Sequence, residues 1–319
     1  IEGPLAEDFE IHARVAEDLW RATSRLERGD FVSAEPILEA LFEARSGAGS
    51  AGGSAVLGEG PTSLAIADGL LRCRLRAGAV VSGASAWLAI VAARPRAEDL
   101  PSSIDPETLL CPDLPPIFLD VPAMRSSIAG LDAMAHDEGG SGIARALAIL
   151  YRHELLRAIE PGSEPALPTI ETTHPGVMLV LAMVRAQGGE PLERARARSM
   201  LAARAAERPG TWVEAWARIA MARSLAMEGD RESALRAVAE YLRVPSTLAG
   251  VSPSLSGLAL AEASVVLARE GHAAGARALK RELADGYPGH PALGLAGLRS
   301  IPASEPEERA TGSRGKAGL

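Results

Sequence analysis

Several short stretches carry residue types that do chemistry in other proteins, and each lacks the companion its chemistry requires. Gly47, Gly49 and Gly52 spell G-x-G-x-x-G, the spacing that lets a backbone approach a pyrophosphate at a helix N-terminus. That motif works only after a strand and before a helix. Here a helical run precedes it and more Gly and Ser follow, so it reads as linker. The run His153-Glu154-Leu155-Leu156-Arg157 opens like the zinc-protease helix, in which two imidazoles four residues apart face one metal. Arg157 stands where the second imidazole is needed. The six histidines show no other ligand spacing, and two cysteines cannot close a four-thiolate site. Gly312-Ser313-Arg314-Gly315-Lys316 lacks the spacing and the preceding strand of a phosphate loop. No G-x-S-x-G elbow is present. Carboxylates such as Glu7, Asp8, Glu10, Glu17 and Asp18 fall beside Arg on charged helix faces. The expectation is a protein with no catalytic residues, no metal and no cofactor.

The bulk properties narrow the class further. A net charge of −8 and a pI near 5.4 argue against a nucleic-acid partner, which calls for a basic domain or stripe. Hydrophobic residues make up 47% but aromatics only 3%, so the core must be built from Ala, Leu and Val, good helix formers that allow close helix approach. Asn is absent and Lys occurs only at Lys280 and Lys316. Both fit a GC-rich, bacterial-type genome, and without Asn there is no N-glycosylation acceptor. Cys73 and Cys111 read as unpaired, partly buried thiols. A disulfide would need their Cα atoms within roughly 7 Å, which spacing does not decide. The longest apolar run, Gly176 to Val184, is far short of the ~18 residues of a membrane span. A start at Ile1 instead of Met is expected of a processed product or a fragment, cytoplasmic or exported after loss of a leader.

Helix-period patterns interrupted by glycine dominate the sequence. Phe9, Ile11, Val15, Leu19, Ala22 and Leu26 recur at mostly helical spacing. Gly29 stops that run, Asp30 can cap the next helix, and Ala34, Ile37, Leu38 and Leu41 form the following stripe. Similar pairs surround Gly78, Gly188–Gly189, Gly229 and Gly271, with a less regular pair from about Pro122 to Pro161 around residues 138–142. A small residue, Ala34, Gly83, Ala234 or Ala276, falls five positions after Gly29, Gly78, Gly229 and Gly271. Stacked hairpins bury a continuous core that a single hairpin cannot.

Gly29-Asp30, Gly229-Asp230, the small residue opening each second helix, and Pro95 and Pro288 after it resemble tetratricopeptide (TPR) repeats. The likeness extends roughly from Ala6 to Pro291. The turn spacing departs from that family's period of about 34 residues: Gly188 to Gly229 is 41 and Gly229 to Gly271 is 42, and the consensus aromatics are mostly missing. The resemblance implies an all-α fold, a right-handed superhelical array (α-solenoid) of about six antiparallel helix hairpins. Another helical-repeat superhelix is the alternative. Residues 1–300 would form one helical-repeat domain containing a Gly/Ser-rich linker at 46–61 and a Pro-rich insertion at 94–122, with a disordered tail at 301–319.

In such arrays the first helix of each pair lines a concave groove. Those helices here carry Arg72, Arg76, Arg185, Arg223 and Arg269, with Trp216 and Met227 near Arg223. The implied function is a non-enzymatic protein–protein interaction scaffold whose groove binds an acidic peptide or the carboxyl terminus of a partner protein, because guanidinium forks suit carboxylates. The plainer alternative is that these arginines pair with local Glu and Asp or solvate their face. Three other functional classes stay open: a regulatory or docking region of a larger enzyme, a helical-repeat enzyme with its site in the insertion at 94–122, and a structural subunit of an assembly.

Overall fold

The computed structural model describes residues 4–45, 61–77, 80–93, 96–117, 121–137, 141–160, 166–167 and 169–302. The expected linker at 46–60, the turn residue Gly78, Pro95, residues 138–140 of the third turn, Pro161, the tail from 303 onward, and the side chains of Phe9 and Ile11 lie outside the described residues. The regular secondary structure of the described residues is helical, with no strand among them. The helices are α1 (Pro4–Glu27), α2 (Phe31–Arg45), α3 (Pro61–Arg76), α4 (Val80–Ala92), α5 (Val121–Ala135), α6 (Gly142–Ile159), α7 (Pro175–Ala186), α8 (Pro191–Glu207), α9 (Trp212–Ala226), α10 (Arg231–Leu248), α11 (Pro253–Arg269), α12 (Ala273–Gly286) and α13 (Ala296–Arg299). Each helix up to α12 packs on the next, and α1–α3, α7–α9 and α9–α11 also touch. No described helix is long and apolar enough to cross a membrane.

The glycine turns have a common physical basis. Gly29, Gly229 and Gly271 adopt φ of +76°, +80° and +80°, the left-handed region open to glycine without a Cβ penalty. Behind Gly29 the Asp30 N–H returns to Arg25 O at 2.9 Å, and behind Gly271 the His272 N–H returns to Leu267 O at 2.8 Å. These bonds close the preceding helix. Asp30 and Asp230 then open the next one, each accepting from an amide three residues on, Ser33 at 3.2 Å and Ser233 at 2.9 Å. Ala34, Gly83, Ala234 and Ala276 are all buried. A Cβ on Gly83 would already sit 3.4 Å from Leu114 and 3.6 Å from Leu71.

Helix character alternates in the C-terminal half. α7, α9 and α11 are apolar nearly all round and are buried on most sides. α8, α10 and α12 bury one stripe, such as Ala234, Ala237, Val238, Tyr241, Val244 and Leu248 of α10. That stripe carries α10 through Pro245, where the sequence pattern suggests a stop. Burial of Val244 and Leu248 on either side keeps the helix going.

The Pro-rich insertion is a packed part of the core. Ile104, Leu110, Cys111, Leu114 and Ile117 are buried. Asp105 Oδ1 accepts from Thr108 N and Oγ1, each at 2.8 Å, and turns the backbone. Leu109 follows with φ +56°. Three aromatic side chains hold this backbone: Trp87 Nε1 donates to Leu109 O at 2.8 Å, Trp216 Nε1 to Pro112 O at 3.0 Å, and the Tyr151 hydroxyl to Leu114 O. Cys73 and Cys111 are buried and unpaired, and burial pushes their thiols up to about 11 and about 12, so neither is a ready nucleophile at neutral pH.

Two tests follow from this packing. A Cβ on Gly176, at the start of α7, would lie 2.0 Å from Thr108 O. Gly176→Ala should therefore cost about 1–3 kcal/mol in urea unfolding, while Gly142→Ala, which meets nothing within 4 Å, should leave the midpoint nearly unchanged. The second concerns acid. Hydrogen bonds from the Ser33 side chain and amide, and from the Ser233 amide and side chain, hold Asp30 and Asp230 below their ordinary 3.8. A lowered folded-state value contributes stability that is present above 3.8 and is lost as pH falls through the lowered value. The melting temperature should fall as pH drops below about 4, and fall less in Asp30→Asn/Asp230→Asn, which keeps the acceptor oxygens without the charge.

Candidate functional site

The seven residues expected at a groove are distributed over three environments. Arg72 and Arg76 are exposed on α3. Arg72 is close enough to Asp68 to oppose the upward push that burial gives that carboxyl, and the Arg76 guanidinium lies 5.6 Å over the Phe31 ring. Trp216 is fully buried, edge-on to Trp212 with ring centres 5.1 Å apart. It secures the insertion and offers no surface to a partner. Arg223, Met227 and Arg269 come together around one recess of about 430 Å³, formed between α9, α11 and the C-terminal segment Leu295–Gly297. Arg185 is exposed near the end of α7, two residues before Gln187 of the same recess.

The recess has an apolar wall and a charged floor. Ala226, Val265, Val266 and Leu295 supply the wall, and Met227 stands half exposed at its edge. On the floor Arg223 forks onto Glu262, with Nε 2.9 Å from Oε2 and Nη2 on Oε1. The Tyr241 hydroxyl donates to Glu262 Oε2 at 2.7 Å. Burial works against the Arg223 charge, but the Glu262 carboxylate outweighs it and holds the guanidinium above its ordinary value. Burial, with the Glu262 charge behind it, pushes Tyr241 well above 10.0 and keeps it a neutral donor. The Arg223 charge is thus cancelled within the fold. Its partner lies 39 residues away on another helix, where helical spacing along one segment does not reach. Arg185 and Arg269 are exposed and form no ion pair among the described residues.

Sequence reasoning passed over Glu262, Tyr241, Gln187 and the Leu295–Gly297 segment. One signal was present: Glu262 is the only charge between Ser252 and Ala268. A lone carboxylate in a helix that is apolar all round must be paired when buried. Glu154 is the only acidic residue of α6 and is buried, but Arg152 and Arg157 flank it in sequence.

A cleft of about 860 Å³ lies beside the insertion, between Leu109, the N-terminal end of α6 and residues 169–172. Three of its polar side chains contact local backbone. Ser141 Oγ caps α6 through Ala144 N, Thr172 Oγ1 accepts from His174 N at 3.2 Å, and His136 Nδ1 lies 2.7 Å from Asp132 O. These contacts do not assemble a nucleophile and a base. Among the described residues no group of three or more His, Cys, Asp or Glu could hold a metal ion.

No family model, curated protein or solved structure matches this sequence. The recess is therefore read from its own geometry. Removing one member of the floor leaves the other charge half buried and unpaired, so Arg223→Ala should cost about 3 kcal/mol in urea unfolding. The double variant Arg223→Met/Glu262→Leu should lie closer to wild type than either single change.

Proposed function

We propose that this protein is a non-enzymatic interaction module: a right-handed superhelical array of TPR-like helix hairpins that holds a segment of a partner protein at the recess between α9, α11 and Leu295–Gly297. The observation that carries this reading is the pairing of an open apolar recess with an exposed cation, Arg269, that forms no ion pair among the described residues. The recess can take one apolar side chain, and Met227 at its edge adapts to the shape of what enters. Arg269 at the wall supplies a fork for a carboxylate, and Arg185, exposed at the end of α7, offers a second to a longer segment. The fitting partner is an extended segment with a Leu-type residue flanked by Asp or Glu. Arg223 takes no direct part, because Glu262 already occupies its fork.

Fluorescence anisotropy with two labelled peptides tests this reading, one carrying Leu between Glu residues and one carrying Leu between Lys residues. The acidic peptide should bind at least tenfold more tightly, about 1.4 kcal/mol. Arg185→Glu/Arg269→Glu should abolish that preference while circular dichroism stays unchanged. Equal affinity of both peptides, or an unchanged preference in the folded variant, would sink the proposal. Arg223 is left intact, because changing it disturbs the fold itself.

A further inference from the structure

A smaller cavity of about 180 Å³ lies between the insertion, α6 and α9, walled by Pro116, Glu154, Arg157, Ala158 and Arg223. It shares Arg223 with the recess described above. Its volume is far above the roughly 10–15 Å³ that one water needs. The wall includes an unmet acceptor. The Glu154 side chain is 3% exposed. Its Oε2 takes Arg157 Nη2, and its Oε1 has no hydrogen-bond partner. The His153 ring nitrogen nearest to it, Nδ1, stands 3.5 Å away, too far for a good hydrogen bond. Buried carboxylate oxygens are rarely left in this state.

A guanidinium lies in the same wall. Arg223 spends Nε and Nη2 on Glu262, which leaves Nη1 as the nitrogen that Glu262 does not take. Arg157 is already spent: its Nη1 donates to Gln187 O at 2.5 Å, and its Nη2 serves Glu154 and Gln187 Oε1. Charge selects among ligands. Glu154 with Arg157, and Arg223 with Glu262, cancel in pairs. A bare anion would meet Glu154, and a bare cation would meet two guanidinium groups. A neutral ligand that brings a cationic donor to Glu154 and an anionic acceptor to Arg223 over a short span satisfies both. Pro116 and Ala158 leave room for a small apolar substituent beside that pair.

We propose that this cavity binds a small zwitterion of the α-amino-acid class, with its ammonium on Glu154 Oε1 and its carboxylate on the Nη1 side of Arg223. The site shares Arg223 with the partner recess but does not depend on that reading.

Isothermal titration calorimetry of the full 319-residue protein with glycine and L-alanine tests the assignment. N-acetyl-L-alanine, which lacks the ammonium, and ethylamine, which lacks the carboxylate, serve as controls. The two amino acids should bind, and both controls should bind at least tenfold more weakly. Glu154→Gln should weaken the amino acids at least tenfold. Ala158→Leu, which fills the cavity without touching either charge, should abolish binding and decides the matter if Glu154→Gln fails to fold. No heat from either amino acid up to about 10 mM, ten times a Kd of 1 mM, would overturn the proposal and leave water as the occupant. Controls that bind as well as the amino acids, or a folded Ala158→Leu that binds like wild type, would overturn it too.

Discussion

Trp87, Tyr151 and Trp216 each direct one polar hydrogen at a carbonyl of the insertion, and the middle of the molecule depends on those three bonds. The insertion runs through the core with little regular secondary structure, so its carbonyls at Leu109, Pro112 and Leu114 cannot rely on a helix ladder or on water. The donors come from α4, α6 and α9. One irregular segment is thereby tied to helices on both sides of it. Its contact with Gly176 adds α7, and the Arg208–Glu107 pair adds the end of α8. The low aromatic content makes these side chains more telling. Two of the four tryptophans are placed where an apolar body and one N–H are needed at the same point.

The second organising feature is charge held inside the helical layers. Arg223–Glu262 with Tyr241 joins α9, α11 and α10, while Glu154–Arg157–Gln187 joins α6 to the end of α7. Such pairs cost desolvation, and their net contribution to stability is small. Their use is positional. A guanidinium fork accepts a carboxylate in few orientations, so each pair sets how neighbouring helices sit. The recess and the smaller cavity both lie against these pairs.

The division between fully buried and one-stripe helices explains where accessible chemistry can occur. α7, α9 and α11 are enclosed by neighbours for most of their length. They meet solvent chiefly near their last turns, at Arg185, Met227 and Arg269. Cations at that end also suit the negative end of the helix dipole. Apolar wall and exposed cation come together there because the turn glycines end the buried segment abruptly.

Much of the local architecture was legible from residues alone. Gly29, Gly229 and Gly271 with Asp30 and Asp230 marked helix ends, since left-handed backbone and side-chain caps are local properties of a few neighbouring residues. The small residues after each turn marked close helix approach for the same reason. The path of the insertion was not legible, because its order comes from donors up to 104 residues away in sequence. Nor could helical periodicity assign Arg223 to Glu262, 39 residues distant. It placed Trp216 beside the groove residues, although a helix with neighbours on every side has no free face to present. By itself the sequence determined the helices and their turns, which are short-range matters of dihedral preference, capping and apolar period. Tertiary structure alone decided which arginines are spent inside the fold and which stay exposed, because that depends on where distant carboxylates arrive when the helices pack.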